Sequence, residues 1–217
     1  MYPYKQWLEN EYDQWIRALQ ESTVLNFKDH PMVKRMLGEV DRYYAVSNYG
    51  LPEPYYLLER IDNIGRSAFD SLSGVAIRMA YYAQKVLQEK PTSIVEIGGG
   101  SGQLFATFRA MGFKGEYYIY DLLEVRSFQY AYLREVENQT GLRLQQELRH
   151  EFCVSLYALG EFDDETKAWY VEHVINHCKH GLVVWNPHSG ATKEVPFPCR
   201  EVYEIPSLHP DNKVLTW

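Results

Sequence analysis

The sequence predicts an α/β fold, with a mostly parallel sheet in residues 91–217 preceded by an all-helical part in residues 1–90. Three observations predict it. Apolar residues recur at helical spacing as far as Gln88, then give way at Ser93 to short β-rich runs. Those runs alternate with helical stretches, the signature of βαβ units and a parallel sheet. A chain of 217 residues, 46% hydrophobic, can bury one main core with an appended subdomain, but not two large domains.

The elements follow in order. Leu8, Tyr12, Trp15, Ile16 and Leu19 form an apolar stripe, with Glu9, Asp13 and Arg17 elsewhere around the axis, so residues 4–20 read as an amphipathic helix. A short helix opens at "KDHPMVKRML", with Asp29 as cap, Pro31 in the first turn and Gly38 at its end. After the break "NYGLPEP", a longer helix is expected from Ser71 to Gln88 with Asp70 as cap and Leu72, Val75, Ala76, Met79, Ala83, Val86 and Leu87 on one face. Lys90 and Pro91 close it. "SIVEI" and "EYYIYD" are strands of a parallel pair joined through the helix "QLFATFRAM" and Gly112 by a right-handed crossover. Val125, Phe128, Tyr132 and Val136 then mark a helix that Gly141 stops. "LRLQQEL" reads as a weak strand and "FCVSLYAL" as a stronger one, with too little chain between them for a full crossover helix. Residues 163–179 read as a helix with Val171, Val174, Ile175 and Cys178 inward and Gly181 ending it. "LVVWN" is the next strand, "PHSGATKEVPFPC" a loop, and "REVYEIP" and "NKVLTW" close the sheet.

Composition excludes several functions. A formal charge of −7 sets a repulsive field against phosphate backbones and anionic lipid, so neither nucleic acid nor a membrane is an expected partner. Cys153, Cys178 and Cys199 lie far apart without C-x-x-C spacing, so neither a disulfide framework nor a thiolate metal site is indicated. No apolar run approaches the roughly 20 residues of a membrane span, and the N-terminus lacks the order of a signal peptide. A cytoplasmic protein is expected. Eighteen tyrosines offer flat faces with polar tips, suited to wet pockets as well as to cores.

The most informative stretch is "SIVEIGGGSGQLF", where Gly98, Gly99, Gly100 and Gly102 stand between a strand and a helix. Glycines there let the backbone come close to a ligand and aim N–H groups at it. A dinucleotide site wants G-x-G-x-x-G, but the sixth position from Gly98 is Gln103, and the spacing is G-x-G-x-G. Glu96 weighs further against it, because a carboxylate would repel a pyrophosphate and attract a cofactor carrying ammonium and sulfonium groups. S-adenosylmethionine is such a cofactor. Asp121 ends the next strand at the same sheet edge and can accept hydrogen bonds from both ribose hydroxyls. Either acid taken alone reads equally as a surface strand end or an N-cap.

"VEIGGGSGQL" followed by "YYIYDLLEVRSFQYAYL" resembles the first two motifs of class I methyltransferases, and in particular the sugar O-methyltransferase family, with its "EIGGG-x-G" turn and "DL-x-EV" block. "VSLYALGEF" is similar to that family's next block, and "RIDNIGR" adds to the likeness, which runs over most of the chain. The resemblance implies a Rossmann-like seven-strand order with an antiparallel last strand, S-adenosylmethionine as donor with S-adenosylhomocysteine as product, and a sugar or glycoside hydroxyl as acceptor. It implies a cofactor set of Glu96, Gly98, Gly99, Gly100, Gly102, Asp121, Leu122, Ser155 and Tyr157. The tight spacing between "LRLQQEL" and "FCVSLY" departs from the wider superfamily at the place where the adenine would be held.

Methyl transfer to a hydroxyl needs an oxygen held in line behind the methyl group and a base to take its proton. Glu161 and His188, each just past a strand, are the candidates, and they read equally as a helix-start acid and a loop imidazole. Glu161 and Asn186 offer two oxygens to a divalent cation, too few to define a site. His173, His177 and His180 share a helix face, but opposite the apolar one, so they read as solvated rather than as metal ligands. Asp62, Asn63 and Arg66 can hydrogen-bond sugar hydroxyls, and Tyr55, Tyr56, Tyr81 and Tyr82 can stack on a ring or simply fill the core. Residues 1–90 are expected to form a lid or a homodimer surface. The rival readings are a catalytically degenerate binding module, a methyltransferase for another small molecule and a nicotinamide oxidoreductase.

Overall fold

The computed structural model describes residues 23–31, 33, 56–67, 72–147, 151–186, 194–204 and 211–217. The expected helix 4–20, most of the helix after Pro31, Asp70, Tyr55 and the loop bearing His188 lie outside the described residues.

The helices are α1 (Tyr56–Asn63), α2 (Gly74–Gln88), α3 (Gln103–Ala110), α4 (Leu123–Thr140), α5 (Ala158–Glu161) and α6 (Asp164–His173). The strands are β1 (Ser93–Ile97), β2 (Glu116–Tyr120), β3 (Phe152–Leu156), β4 (His180–Trp185), β5 (Arg200–Tyr203) and β6 (Lys213–Thr216), in the spatial order β2-β1-β3-β4-β6-β5. β2, β1, β3 and β4 pair in parallel, and β6 runs antiparallel between β4 and β5. This is a Rossmann-like arrangement, a mostly parallel sheet with one antiparallel strand.

Burial follows position in the sheet. β1 is central and buried at all five residues, whereas β2, at the edge, alternates, turning Tyr117 and Ile119 inward. Tyr117 stacks on Phe105 of α3 with centroids 4.3 Å apart, which fixes α3 against the sheet. One core lies between the sheet and α2, α3 and α4, and it takes in Phe27, Val33, Ile61 and Ile64 from the helical first part. A second core on the opposite face holds Leu159, Phe162, Tyr170, Val174, Ile175 and Trp185.

Four expectations are corrected. "LRLQQEL" is not a strand: it follows the outer edge of β2 with one backbone bond, Glu147 N–H to Tyr117 O at 2.8 Å, while the Gln146 side chain accepts the Ile119 N–H at 3.1 Å. A side chain thus takes the place of a ladder bond, and the sheet has six strands, not seven, among the described residues. α2 starts at Gly74, because Ser73 Oγ caps it by accepting Ala76 N–H at 3.2 Å. The helix begun at Asp164 ends at His173, and Gly181 lies within β4, where an added Cβ would stand 2.1 Å from the Trp217 ring. His173, His177 and His180 are exposed, as expected, but sit on α6, a 3-10 turn and β4 rather than on one helix. No cluster of three metal-ligating side chains occurs among the described residues.

Candidate active site

The parallel strands end at one edge, and there β1 turns into α3 through Gly98–Gly102. Gly98 has φ +75°, and a Cβ on it would meet the Ala158 Cβ at 2.2 Å, so glycine lets the turn lie against the chain leaving β3. Gly100, at φ +55°, has nothing within 4 Å of where its Cβ would be. The turn therefore presents bare backbone to open space at Gly100.

Three N–H groups of the turn are engaged within the protein, where the sequence leads one to expect them aimed at a ligand. Gly98 N–H donates to Tyr120 O (2.8 Å), Gly102 N–H to Gly99 O (2.9 Å) and Gly100 N–H to Asp121 Oδ2 (2.6 Å). Leu122 N–H donates to Asp121 Oδ1 at 2.8 Å, and Gln129 holds the Gly100 carbonyl at 3.0 Å. Burial of the Asp121 carboxyl raises its pKa to about 6, against the lowering effect of those two N–H groups and of Arg126, so it is ionised at neutral pH. The turn carries its own anion where a pyrophosphate would sit, which disfavours phosphate electrostatically. With a spare lone pair on each oxygen, Asp121 can still accept from hydroxyls.

Glu96 lies beneath the turn rather than at its mouth. It is 3% exposed, accepts a hydrogen bond from Tyr117 OH at 2.8 Å, and would stand 3.1 Å from a Cβ on Gly99. Burial pushes its pKa up to about 8, the Tyr117 hydroxyl opposes that, and the Asp121 charge adds to it. At neutral pH it is mostly protonated, and a cation brought to the turn would favour its ionised form.

Ser155 is buried and committed: Oγ donates to Ile97 O (2.9 Å) and accepts Leu159 N–H (3.2 Å), so it ties the ends of β1 and β3 together instead of facing a ligand. Leu122 is buried in the second core. Tyr157, half-buried, follows β3 with its hydroxyl on Glu204. Glu161 ends α5 with Oε1 3.4 Å from Asn186 Nδ2, and the backbones approach so closely that a Cβ on Gly160 would stand 2.6 Å from Asn186 O. Glu161 and Asn186 are thus brought together at the edge. His188 lies outside the described residues.

Asp62 turns inward. It is 2% exposed and accepts from Ser73 N–H (2.8 Å), Ser73 Oγ (2.9 Å) and Gln103 Nε2 (3.1 Å), with Arg66 Nη2 at 3.4 Å and Lys28 Nζ at 3.6 Å. Those partners occupy its lone pairs, so it is a strut behind the turn and not a group for a sugar hydroxyl. Asn63 donates to Glu59 O at 2.8 Å, and Arg66 is half-buried against Asp62. Tyr82 is buried, Tyr56 exposed and Tyr81 half-buried. Sequence reasoning missed Lys28, Arg78, Glu204 and Asn212; all but Lys28 share a cluster with Tyr157, and only the position of Glu204 and Asn212 beside the closing strands hinted at it.

No protein-family model matches the chain, and no curated protein matches it. Among solved structures it is similar to TehB from Haemophilus influenzae, at 11% identity and TM-score 0.43, over 62% of this chain and 60% of that one. It is similar to a SAM dependent methyltransferase from Aquifex aeolicus, at 14% identity and TM-score 0.42, over 76% of this chain and 98% of that one. A third is magnesium protoporphyrin IX methyltransferase from Synechocystis PCC 6803 with bound SAM, at 13% identity and TM-score 0.47, over 82% and 97%. Likeness this faint leaves the chemistry to the chain's own residues.

Proposed function

We propose that this chain is an S-adenosylmethionine-dependent O-methyltransferase acting on a hydroxyl of a sugar or glycoside. The observation that carries the reading is the Asp121 carboxylate seated on the Gly100 N–H beside open space, which favours hydroxyls and cations over phosphate. The residues fit the cofactor. Asp121 would accept from the ribose hydroxyls, the bare backbone at Gly100 would admit the nucleoside, and Glu96 beneath the turn would be drawn into its ionised form by the cofactor's cationic end. Leu122 would flank the nucleoside from the start of α4. When bound, the cofactor supplies an electrophilic methyl group on a sulfonium.

The chain's own part is to bind and orient. Glu161 and Asn186 meet at the edge that bears the turn, and on this reading their carboxylate and amide would orient a polyhydroxylated ring. The sugar assignment rests on the motif resemblance of "DLLEV", "YALGE" and "RIDNIGR", the last of which supplies an internal strut rather than a contact. The test is transfer from methyl-labelled S-adenosylmethionine to a panel of monosaccharides and methyl glycosides. Label in a methyl ether supports the reading; no transfer to any member, while catechols or carboxylates are methylated, removes the sugar and leaves the cofactor.

A further inference from the structure

The strand ends carry a second constellation that no sequence motif marks. Tyr157 follows β3, Glu204 follows β5 and Asn212 precedes β6; since β5 runs with β4 and β6 runs against it, all three arrive at the edge that bears the glycine turn. Arg78 and Tyr82, one turn apart on α2, reach the same place. Glu204 Oε1 accepts from Arg78 Nη2 (3.1 Å), Tyr82 OH (3.0 Å) and Tyr157 OH, and Oε2 from Asn212 Nδ2 (2.8 Å). Glu204 is 2% exposed and ion-paired with Arg78, and the Tyr157 hydroxyl donates to it, which leaves the phenol oxygen's lone pairs for another donor. The Arg78 guanidinium lies 5.2 Å from the Tyr157 ring centroid.

Two further observations single out Tyr157. Its φ is +71°, a left-handed conformation costing a non-glycine residue about 1–2 kcal/mol. The other such residue among those described, Lys90 at φ +52°, follows the C-cap of α2, where this conformation is ordinary. Tyr157 stands between β3 and α5, and backbone strain of this kind clusters at functional sites. In addition, Asn212 Oδ1 is buried with no donor among the described residues, leaving an acceptor in the same cluster for a neighbouring hydroxyl.

We infer that Tyr157 takes the proton of the acceptor hydroxyl and that Glu204 positions it and receives the phenol's own proton, an inference that rests on the methyl-transfer reading above. As the acceptor oxygen bonds to the methyl group, its proton passes to Tyr157 Oη, the proton Tyr157 held passes to Glu204 Oε1, and the S–CH3 electron pair stays on sulfur. The sum is a methyl ether, a thioether and a protonated Glu204, which returns its proton through Tyr157 to water once the products leave. Burial raises the Tyr157 pKa, with Arg78 lowering and Glu204 raising it, so the phenol does not ionise at rest and passes a proton on without storing a charge.

The test has two arms. Carbon-13 spectra of protein labelled at glutamate carboxyls, with the Glu204 signal identified by its loss in Glu204→Gln, should show an ionised carboxylate at pH 7; a protonated one overturns the role. In the acceptor panel, Tyr157→Phe should lower kcat about 100-fold or more with KM and S-adenosylhomocysteine affinity within twofold. The double variant Arg78→Met/Glu204→Gln, which removes both buried charges, should keep a melting temperature near that of wild type but lose kcat. Retention of both shows a structural pair and overturns the proposal. Failure of wild type to bind S-adenosylhomocysteine, or to methylate any sugar, catechol or carboxylate, removes the parent reading and this role with it, whereas normal turnover by Tyr157→Phe removes the role alone.

Discussion

Two carboxylates, Asp62 and Glu204, are each buried beside a buried cation, yet they stand in different kinds of place. Asp62 with Lys28 lies behind the glycine turn: Lys28 Nζ donates to Asp62 O at 2.6 Å and Gln103 Oε1 at 2.7 Å, and Gln103 is the first residue of α3. Through Gln103 the pair joins the helical first part to the start of the helix that follows the turn. Burial lowers the Lys28 pKa to about 8 even so, against the raising effect of Asp62, which shows how dry the site is. Glu204 with Arg78 lies at the strand ends, touches a half-buried and strained tyrosine, and leaves an asparagine oxygen without a donor among the described residues. Burial and pairing alone do not separate a strut from a site; strain and an unspent acceptor do.

The largest effect that would sharpen this contrast is at the strut. Asp62→Ala leaves Lys28 uncompensated and frees the Ser73 cap, and should cost about 3–5 kcal/mol in urea unfolding, against about 1 kcal/mol or less for Arg78→Met/Glu204→Gln. Equal losses at the two pairs would break the distinction.

Glu96 gives the next effect. Its ordinary pKa of 4.5 rises to about 8 in the fold, so between those values the folded state holds a proton that the unfolded chain has released. Stability of the ligand-free protein should therefore fall as pH rises from 5 to 8, by at most about 1.4 kcal/mol per unit from this group. Glu96→Gln should flatten that slope in urea titrations at several pH values; an unchanged slope would place its origin elsewhere.

A smaller effect separates two glycines. Gly100 and Gly112 both have positive φ, +55° and +93°, and neither has an atom within 4 Å of an added Cβ. Alanine at either should cost a similar 1–2 kcal/mol or so of backbone strain. Only Gly100→Ala should weaken S-adenosylhomocysteine, by about tenfold or more; equal affinities in the two variants would mean the open space at Gly100 holds nothing.

The sheet and the turn were legible because their signals are local: β-branched runs, glycines after a strand, an acid at the next strand's end. Elsewhere local signals competed. Ser73 rather than Asp70 caps α2, because the helix starts at Gly74 and Asp62 holds the Ser73 N–H and hydroxyl. Gly181 looks like a helix stop in sequence, but its lack of a side chain serves the Trp217 ring packed on β4. The Glu204 cluster was scarcely legible, since its members come from residues 78 to 212 and meet only when β5 and β6 fold back along β4.

The most direct test of the site is calorimetric titration of S-adenosylhomocysteine into wild type and Asp121→Ala. Hydrogen bonds from ribose hydroxyls to an ionised carboxylate contribute about 1.5–3 kcal/mol, so the variant should bind at least about tenfold more weakly than wild type. Equal affinity in the two proteins, or no binding by wild type, would contradict the account.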